Sequence, residues 1–142
     1  MRQAYRVICH IIAACVVIQA AAIAWATFAI GEYVGNGKSI TDSTDFAGFD
    51  VHSVVGQFII PLLAIVLFVM ALIARVGIKW SAWLLLAVVV QIALAFASFA
   101  VSGLGILHGI GAFVVLGLAE VAASSVGRKS AATGASQTGS AG

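Results

Sequence analysis

Four long apolar stretches constrain this chain more than any other feature. They lie at about residues 8–30, 51–74, 80–101 and 105–126. Each is long enough to cross a bilayer, which takes about 20 helical residues, and none alternates polar and apolar residues as membrane strands do. Charged residues make up 8% of the sequence, against about 25% in soluble domains. The sequence therefore predicts an all-α, integral membrane four-helix bundle over residues 1–126, in contact with the lipid bilayer.

Lysine and arginine are unequally distributed between the two sides of this bundle. Lys38 alone lies in the first connection, and six such residues flank the opposite helix ends: Arg2, Arg6, Arg75, Lys79, Arg128 and Lys129. Because cytoplasmic segments carry an excess of these residues, we expect both termini in the cytoplasm and the loop 31–50 outside. The expected location is the bacterial cytoplasmic (inner) membrane, as a multi-pass protein. The formal net charge of +2 follows from this asymmetry and does not indicate a nucleic-acid partner.

The last segment, residues 127–142, reads "GRKSAATGASQTGSAG". It is polar and of low complexity, and such segments cannot bury enough apolar surface to fold. It is predicted to be a disordered cytoplasmic tail.

The two halves of the bundle resemble each other. "AWATFAI" at 24–30 is matched by "AFASFAV" at 95–101, and "VVIQ" ending at Gln19 by "VVVQ" ending at Gln91. His52 matches His108, and Pro61 matches Gly117. These matches predict two repeated helical hairpins in the same orientation, related by a pseudo-two-fold axis along the membrane normal.

His52 and His108 each begin a helix that enters from the outer side, so they are expected at the same depth. Two imidazoles at one depth are candidate axial ligands of one b-type haem. Gly56, Gly109 and Gly111 lie close by in sequence and would leave room for the macrocycle. The alternative is that the histidines are interfacial and that the glycines only let the helices pack closely.

The other polar side chains of the apolar stretches have simpler interpretations. Gln19 or Gln91 could accept the second N–H of a ligand histidine, but an ordinary interhelical hydrogen bond is the favoured interpretation. Glu120 and His10 fall in the cytoplasmic half of the bundle, where a charge is expensive. We expect them to pair inside the bundle and to tether the first helix to the fourth.

The sequence contains no pattern typical of catalysis by protein side chains. A Ser-His-Asp set, paired acids, a phosphate loop and a structural zinc pattern are all absent from it. Cys9 and Cys15 are separated by about 9 Å along one helix and cannot bridge each other. No C-x-x-C-H motif occurs, so covalent haem attachment is not expected. Independent enzymatic activity is not predicted.

Three segments carry a family resemblance: "FAGFDVHSVVGQFIIPLLAIVLFVMALIAR", "LLLAVVVQIALA" and "LHGIGAFVVLGLA". Together they resemble an uncharacterised family of small four-helix bacterial membrane proteins, which implies the fold and the positions of His52 and His108. The hairpin with a histidine at its outer face also looks like half of haem A synthase, and like other four-helix membrane bundles that hold b-type haem. This second resemblance implies haem binding between paired histidines. The chain has one bundle rather than two and no acidic residue evidently placed as a reaction partner, so it does not imply synthase activity.

Three hypotheses for the function follow. The leading one is a membrane protein with one bis-histidine haem b near the outer face, acting in electron transfer or as a redox accessory. Its partner would be a quinone, an extracytoplasmic redox protein or a larger membrane complex. The second is a haem-free structural or accessory subunit of such a complex. The third is a small quinone-binding or proton-coupled module that uses His52 and His108.

Overall fold

The computed structural model describes the backbone of residues 1–138 and the side chains of residues 1–126. Four helices make up most of it: α1 (Arg2–Gly35), α2 (Ala47–Ala74), α3 (Ile78–Ala100) and α4 (Leu104–Thr138). Each contains an apolar segment long enough to cross a membrane, which in α4 is Leu104–Val126. The prediction of an all-helical chain with four membrane-length helices is confirmed.

The helix ends differ from the predicted ones. α1 continues past both ends of its apolar stretch, and α2 begins at Ala47 rather than at residue 51. The first connection is therefore 36–46 instead of the predicted 31–50. Polar residues such as Arg6 and Glu32 end an apolar run without ending a helix. With 34 residues, α1 is about 51 Å long and exceeds the roughly 30 Å of a bilayer's hydrocarbon core. α4 continues as helix to Thr138, into the segment predicted to be a disordered tail. Residues 139–142 lie outside the described residues, and disorder of the tail stays a prediction.

The helices form a ring in which sequence neighbours pack side by side. α1 packs against α2 and α4, and α3 also packs against α2 and α4. α2 and α4 are therefore diagonally opposite across the bundle. We call the end where α1 and α3 begin the basic end, because the cations of the predicted cytoplasmic side lie there. The end where α2 and α4 begin is called the histidine end.

The packed core lies entirely in the basic half of the bundle. α1 and α3 each bury a row of residues at spacings of three and four: Cys9, Ile12 and Val16 in α1, and Ser81, Leu84 and Val88 in α3. α2 and α4 each bury a row at spacings of four, three and four: Ile60, Ala64, Leu67 and Ala71 in α2, and Val115, Ala119, Ala122 and Val126 in α4. Diagonally opposite helices thus contribute rows of the same spacing to the core.

A π-helical turn, Val55–Ile59, interrupts α2 between His52 and the buried row. There the N–H of Ile60 donates to the carbonyl of Val55, and Pro61, which has no N–H to donate, follows directly. Such a turn inserts one extra residue into a helix. Ile60, eight residues after His52, therefore takes the buried position that Val115, seven residues after His108, takes in α4. Beyond the turn, the equivalent residues of α2 and α4 are shifted by one from the sequence alignment that pairs Pro61 with Gly117.

Fewer residues are buried in the histidine half. Among the described side chains beyond the histidines, only Ala22, Ala26 and Gly48 are buried, where α1 and α2 meet. The two helices approach closely, since a Cβ added to Gly48 would lie 2.7 Å from the nitrogen of Ala26. On the other side, α3 after Val88 and α4 before Val115 bury no described residue. The side chains of the histidine half are therefore more exposed than those of the basic half.

Candidate functional site

His52 and His108 meet just beyond the buried core, at the start of the histidine half. Their ring centroids are 6.1 Å apart and their planes are inclined by 74°. Both residues are half-buried. Because α2 and α4 are diagonally opposite, the two rings approach each other across the axis of the bundle. The structure thus brings together the two histidines that the sequence analysis paired.

Each imidazole is held by a backbone carbonyl of the neighbouring helix in its own hairpin. His108 Nδ1 lies 3.1 Å from the carbonyl oxygen of Gln91, and His52 Nδ1 lies 3.4 Å from that of Gln19. A carbonyl oxygen can only accept a hydrogen bond, so Nδ1 must carry the proton in a neutral ring. Nε2 then keeps its lone pair, as in a metal-binding histidine whose other nitrogen donates to a carbonyl.

Neither Nε2 atom has a protein partner. The described residues contain no hydrogen bond to Nε2 of His52 or of His108. Every fully buried side-chain nitrogen or oxygen of the described residues has a hydrogen-bond partner. Because the two Nε2 atoms have none, both must be accessible from outside the protein. Two accessible lone pairs at one level of the bundle form a potential two-point ligand set.

The glutamine amides occupy the space next to two of the predicted glycines. The Gln91 amide donates to the carbonyl oxygen of His108 at 2.6 Å, and a Cβ on Gly111 would collide with this amide. A Cβ on Gly56 would lie 2.7 Å from Nε2 of Gln19. Gly56 and Gly111 therefore accommodate glutamine side chains beside the histidines, and their assignment to cofactor binding stays a prediction.

Gly109 has different surroundings. A Cβ added there would meet no atom within 4 Å. It faces open space on the outside of α4, and its assignment to a cofactor site likewise stays a prediction.

The atoms that orient the histidines differ from those predicted. The amides of Gln19 and Gln91 were the expected acceptors, whereas the backbone carbonyls of the same two residues accept from the imidazoles. The matched "VVIQ" and "VVVQ" segments pointed to these positions. Only the crossing of the helices decides which atom of the residue faces the ring.

The first connection is ordered by aromatic contacts at the histidine end. Tyr33 and Phe46 make an edge-to-face contact with centroids 5.7 Å apart, and Phe46 makes another with Phe49 at 6.5 Å. Lys38 Nζ lies 5.1 Å from the centroid of Tyr33. This arrangement places one cation near the mouth of the histidine half.

Glu120 and His10 pair as expected, with Oε1 and Nδ1 3.1 Å apart. The expectation that they lie inside the bundle is wrong, because their side chains are 48% and 53% exposed, respectively. The core between α1 and α4 is filled by small apolar side chains such as Ala13 and Ala119, which leaves the longer polar pair at the outer edge of the helix contact. The pair still joins the first helix to the fourth.

The described residues contain no group of three or more histidine, cysteine or acidic side chains suited to a metal ion. No protein-family model, curated protein or solved structure matches this chain. The family resemblances drawn from the sequence therefore stay predictions, and the argument for a function depends on the geometry of the histidine pair.

Proposed function

We propose that the protein is a membrane protein that holds one haem b between His52 and His108. The observation that carries this proposal is the pair of imidazoles 6.1 Å apart, each bound through Nδ1 to a carbonyl and each with an unpartnered Nε2. Unpaired polar atoms at membrane depth are costly. A metal between the two Nε2 atoms would satisfy both.

The ring separation would allow His52 and His108 to hold one iron between them. An imidazole nitrogen lies about 1.1 Å from its ring centroid and binds metal at about 2.0–2.1 Å, as in zinc sites. Two imidazoles that bind one metal ion can therefore have centroids up to roughly 6.3 Å apart, and the observed 6.1 Å falls within that reach. Few side chains of the histidine half are buried, so a macrocycle held there would displace less packed core than one in the basic half.

The similar packing of the two hairpins supports an internal repeat with the pseudo-two-fold axis between the histidines. Each member of the buried row of α3 follows the corresponding member of the α1 row by 72 residues, as Ser81 follows Cys9. The buried rows of α2 and α4 share one spacing, and their distances along the chain from His52 and His108 differ by the one residue that the π turn inserts. A symmetric pair of ligands is the arrangement that such a duplication would produce.

The distribution of cations supports the orientation in the membrane. Arg2, Arg6, Arg75 and Lys79 lie at the basic end, and Lys38 lies at the other. By the positive-inside tendency, the basic end faces the cytoplasm, so that both termini are cytoplasmic. In the bacterial inner membrane the histidine pair then lies near the outer face, with Lys38 available to meet the charge of the haem propionates.

Haem ligated by two imidazoles exchanges single electrons. In this chain the backbone carbonyls of Gln19 and Gln91 orient the two imidazoles. One haem near one face cannot carry an electron across the membrane alone. The proposed role is therefore electron transfer or redox support with a quinone, an extracytoplasmic redox protein or a larger complex as partner.

A haem-free accessory subunit is the second candidate. Imidazole rings with centroids 6.1 Å apart and planes inclined by 74° are also within the range of an ordinary edge-to-face contact, which spans about 4.5–7 Å. Here His52 and His108 would join the two hairpins without a cofactor. A quinone-binding or proton-coupled module remains the third proposal from the sequence.

An absorption spectrum of the purified protein, produced with ample haem, tests the proposal. We expect a Soret band, low-spin visible bands and one haem per chain. His52→Ala and His108→Ala should each abolish or strongly alter the spectrum. His10→Ala is the matched control, because it removes an imidazole far from the pair, and should leave the spectrum unchanged. A well-folded protein without Soret absorption would overturn the haem proposal and leave the second and third candidates.

A further inference from the structure

A cleft of about 400 Å³ opens at the basic end of the bundle. It lies between the start of α1, the turn from α2 to α3 and the Ser125–Val126 segment of α4. We call it the basic cleft, because Arg2, Arg75 and Lys79 are among its lining residues. It is at the opposite end of the bundle from the histidine pair and has no part in the function proposed above.

The described residues do not balance the charge in the basic cleft. None of those that line it is acidic, and no described carboxylate forms an ion pair with any of its three cations. In the basic half Glu120 is the one described acid, and it is bonded to His10. Three like charges around one concavity repel each other and attract an anion.

The backbone of the turn adds donors to the same place. Arg75 and Gly77 both have left-handed conformations, with φ of 53° and 64°, which reverse the chain between the two helices. α3 begins here without a side-chain cap and without an acidic residue in its first turn. Its first N–H groups therefore lack helical acceptors, and Ile78 and Lys79, which carry two of these groups, line the cleft.

We propose that the basic cleft binds a phosphate group. Guanidinium groups match phosphate oxygens with two parallel hydrogen bonds, and ammonium and helix N–H groups also favour this anion. The same chemistry could come from an anionic phospholipid or from free phosphate. The apolar residues Ile78 and Trp80 also line the cleft, and Ile78 is exposed. A headgroup with attached acyl chains therefore fits the cleft and its surroundings.

Native mass spectrometry of the intact chain in detergent tests this site with three probes. These are phosphatidylglycerol, phosphatidylcholine of the same acyl chains, and inorganic phosphate. We expect phosphatidylglycerol to bind more tightly than phosphatidylcholine, which carries a compensating positive charge. Binding of inorganic phosphate with the same dependence on the cleft residues would support the phosphate site and identify the free ion as a source.

The variants are chosen to preserve the fold. Arg75→Gly removes the guanidinium while keeping a residue that accepts the left-handed backbone, and Lys79→Gln removes one charge. Each should weaken phosphatidylglycerol binding about fivefold, as expected for one cation near an anionic lipid. Arg6→Ala is the matched control, since Arg6 is a cation of the same end that does not line the cleft, and it should change binding less than twofold.

Melting temperatures of the lipid-free proteins establish that the variants are folded. Unchanged phosphatidylglycerol binding by folded Arg75→Gly and Lys79→Gln would overturn the proposal. So would equal binding of the two lipids together with no binding of phosphate. A haem spectrum measured on the same preparations is expected to be unaffected, so the outcome is independent of the histidine site.

Discussion

The contact between Gly111 and Gln91 permits a sharp test of how the histidine site is built. Gly109→Ala and Gly111→Ala are the same chemical change, two residues apart on one helix. A Cβ at Gly109 meets open space, whereas a Cβ at Gly111 collides with the Gln91 amide. We predict that only the second substitution disturbs the site.

The magnitude follows from one hydrogen bond. Both substitutions gain the same helix propensity, up to about 1 kcal/mol, so this gain cancels when the two variants are compared. To make room for the new methyl group, the Gln91 amide must release the carbonyl oxygen of His108, which it now contacts at 2.6 Å. Interhelical hydrogen bonds in membranes contribute about 0.6 to 2 kcal/mol. Gly111→Ala should therefore be less stable than Gly109→Ala by this amount.

The assay is reversible unfolding in mixed micelles, followed by tryptophan fluorescence and circular dichroism. A double-mutant cycle gives the decisive result, because without the Gln91 amide the new methyl group has nothing to displace. In a Gln91→Ala background the difference between the two alanine variants should fall to nearly zero. Equal stability of the two single variants, or a difference that persists without Gln91, would show that this contact does not hold the site.

Three further predictions concern the rest of the bundle. Gly77→Ala should destabilise the protein by about 2 kcal/mol or more, because φ is 64° there and a Cβ would lie 2.6 Å from the Tyr5 hydroxyl. Tyr5→Phe removes the 3.2 Å hydrogen bond to the Gly77 carbonyl and should cost about 1 kcal/mol in the same unfolding assay. A larger loss of stability for Tyr5→Phe than for Gly77→Ala would contradict this account of the turn. Glu120→Gln should lower the free energy of unfolding less than Glu120→Leu does, because Gln keeps a hydrogen-bonding group for His10. A Leu variant more stable than the Gln variant would show that the pair contributes no net stability. A Ser43→Cys variant, made after replacing the two native cysteines, should react with an impermeant thiol reagent from outside the cell, and labelling only from inside would reverse the proposed topology.

Much of the fold could be predicted because hydropathy and helix length are properties of the sequence itself. The four apolar helices follow from the cost of leaving peptide groups unpaired in lipid. Helix ends were less accurate, since α1 continues through Arg6 and Glu32 beyond its apolar stretch. A polar side chain changes the environment that a helix prefers, but it does not stop the backbone from forming helical hydrogen bonds.

The candidate site was partly predictable for the same reason. Connection lengths and the alternating direction of the helices require His52 and His108 to lie at one level, whatever the details of packing. The orientation of their rings is a different matter. It depends on the backbone carbonyls of Gln19 and Gln91, which every residue possesses, so no pattern of side chains could identify those atoms as the partners.

The sequence by itself determined the four helices, the end at which cations gather and the common depth of the two histidines, because each depends on composition and order along the chain. The tertiary structure decided that α2 and α4 are diagonal and that the rings lie 6.1 Å apart. It also decided that the π turn at Val55–Ile59 offsets one buried row by a residue and that Glu120 and His10 lie at the outer edge of a helix contact. These features depend on how closely particular helices approach and cross. Small residues such as Gly48 and Ala26 permit a close approach only where the residues of the facing helix are also small.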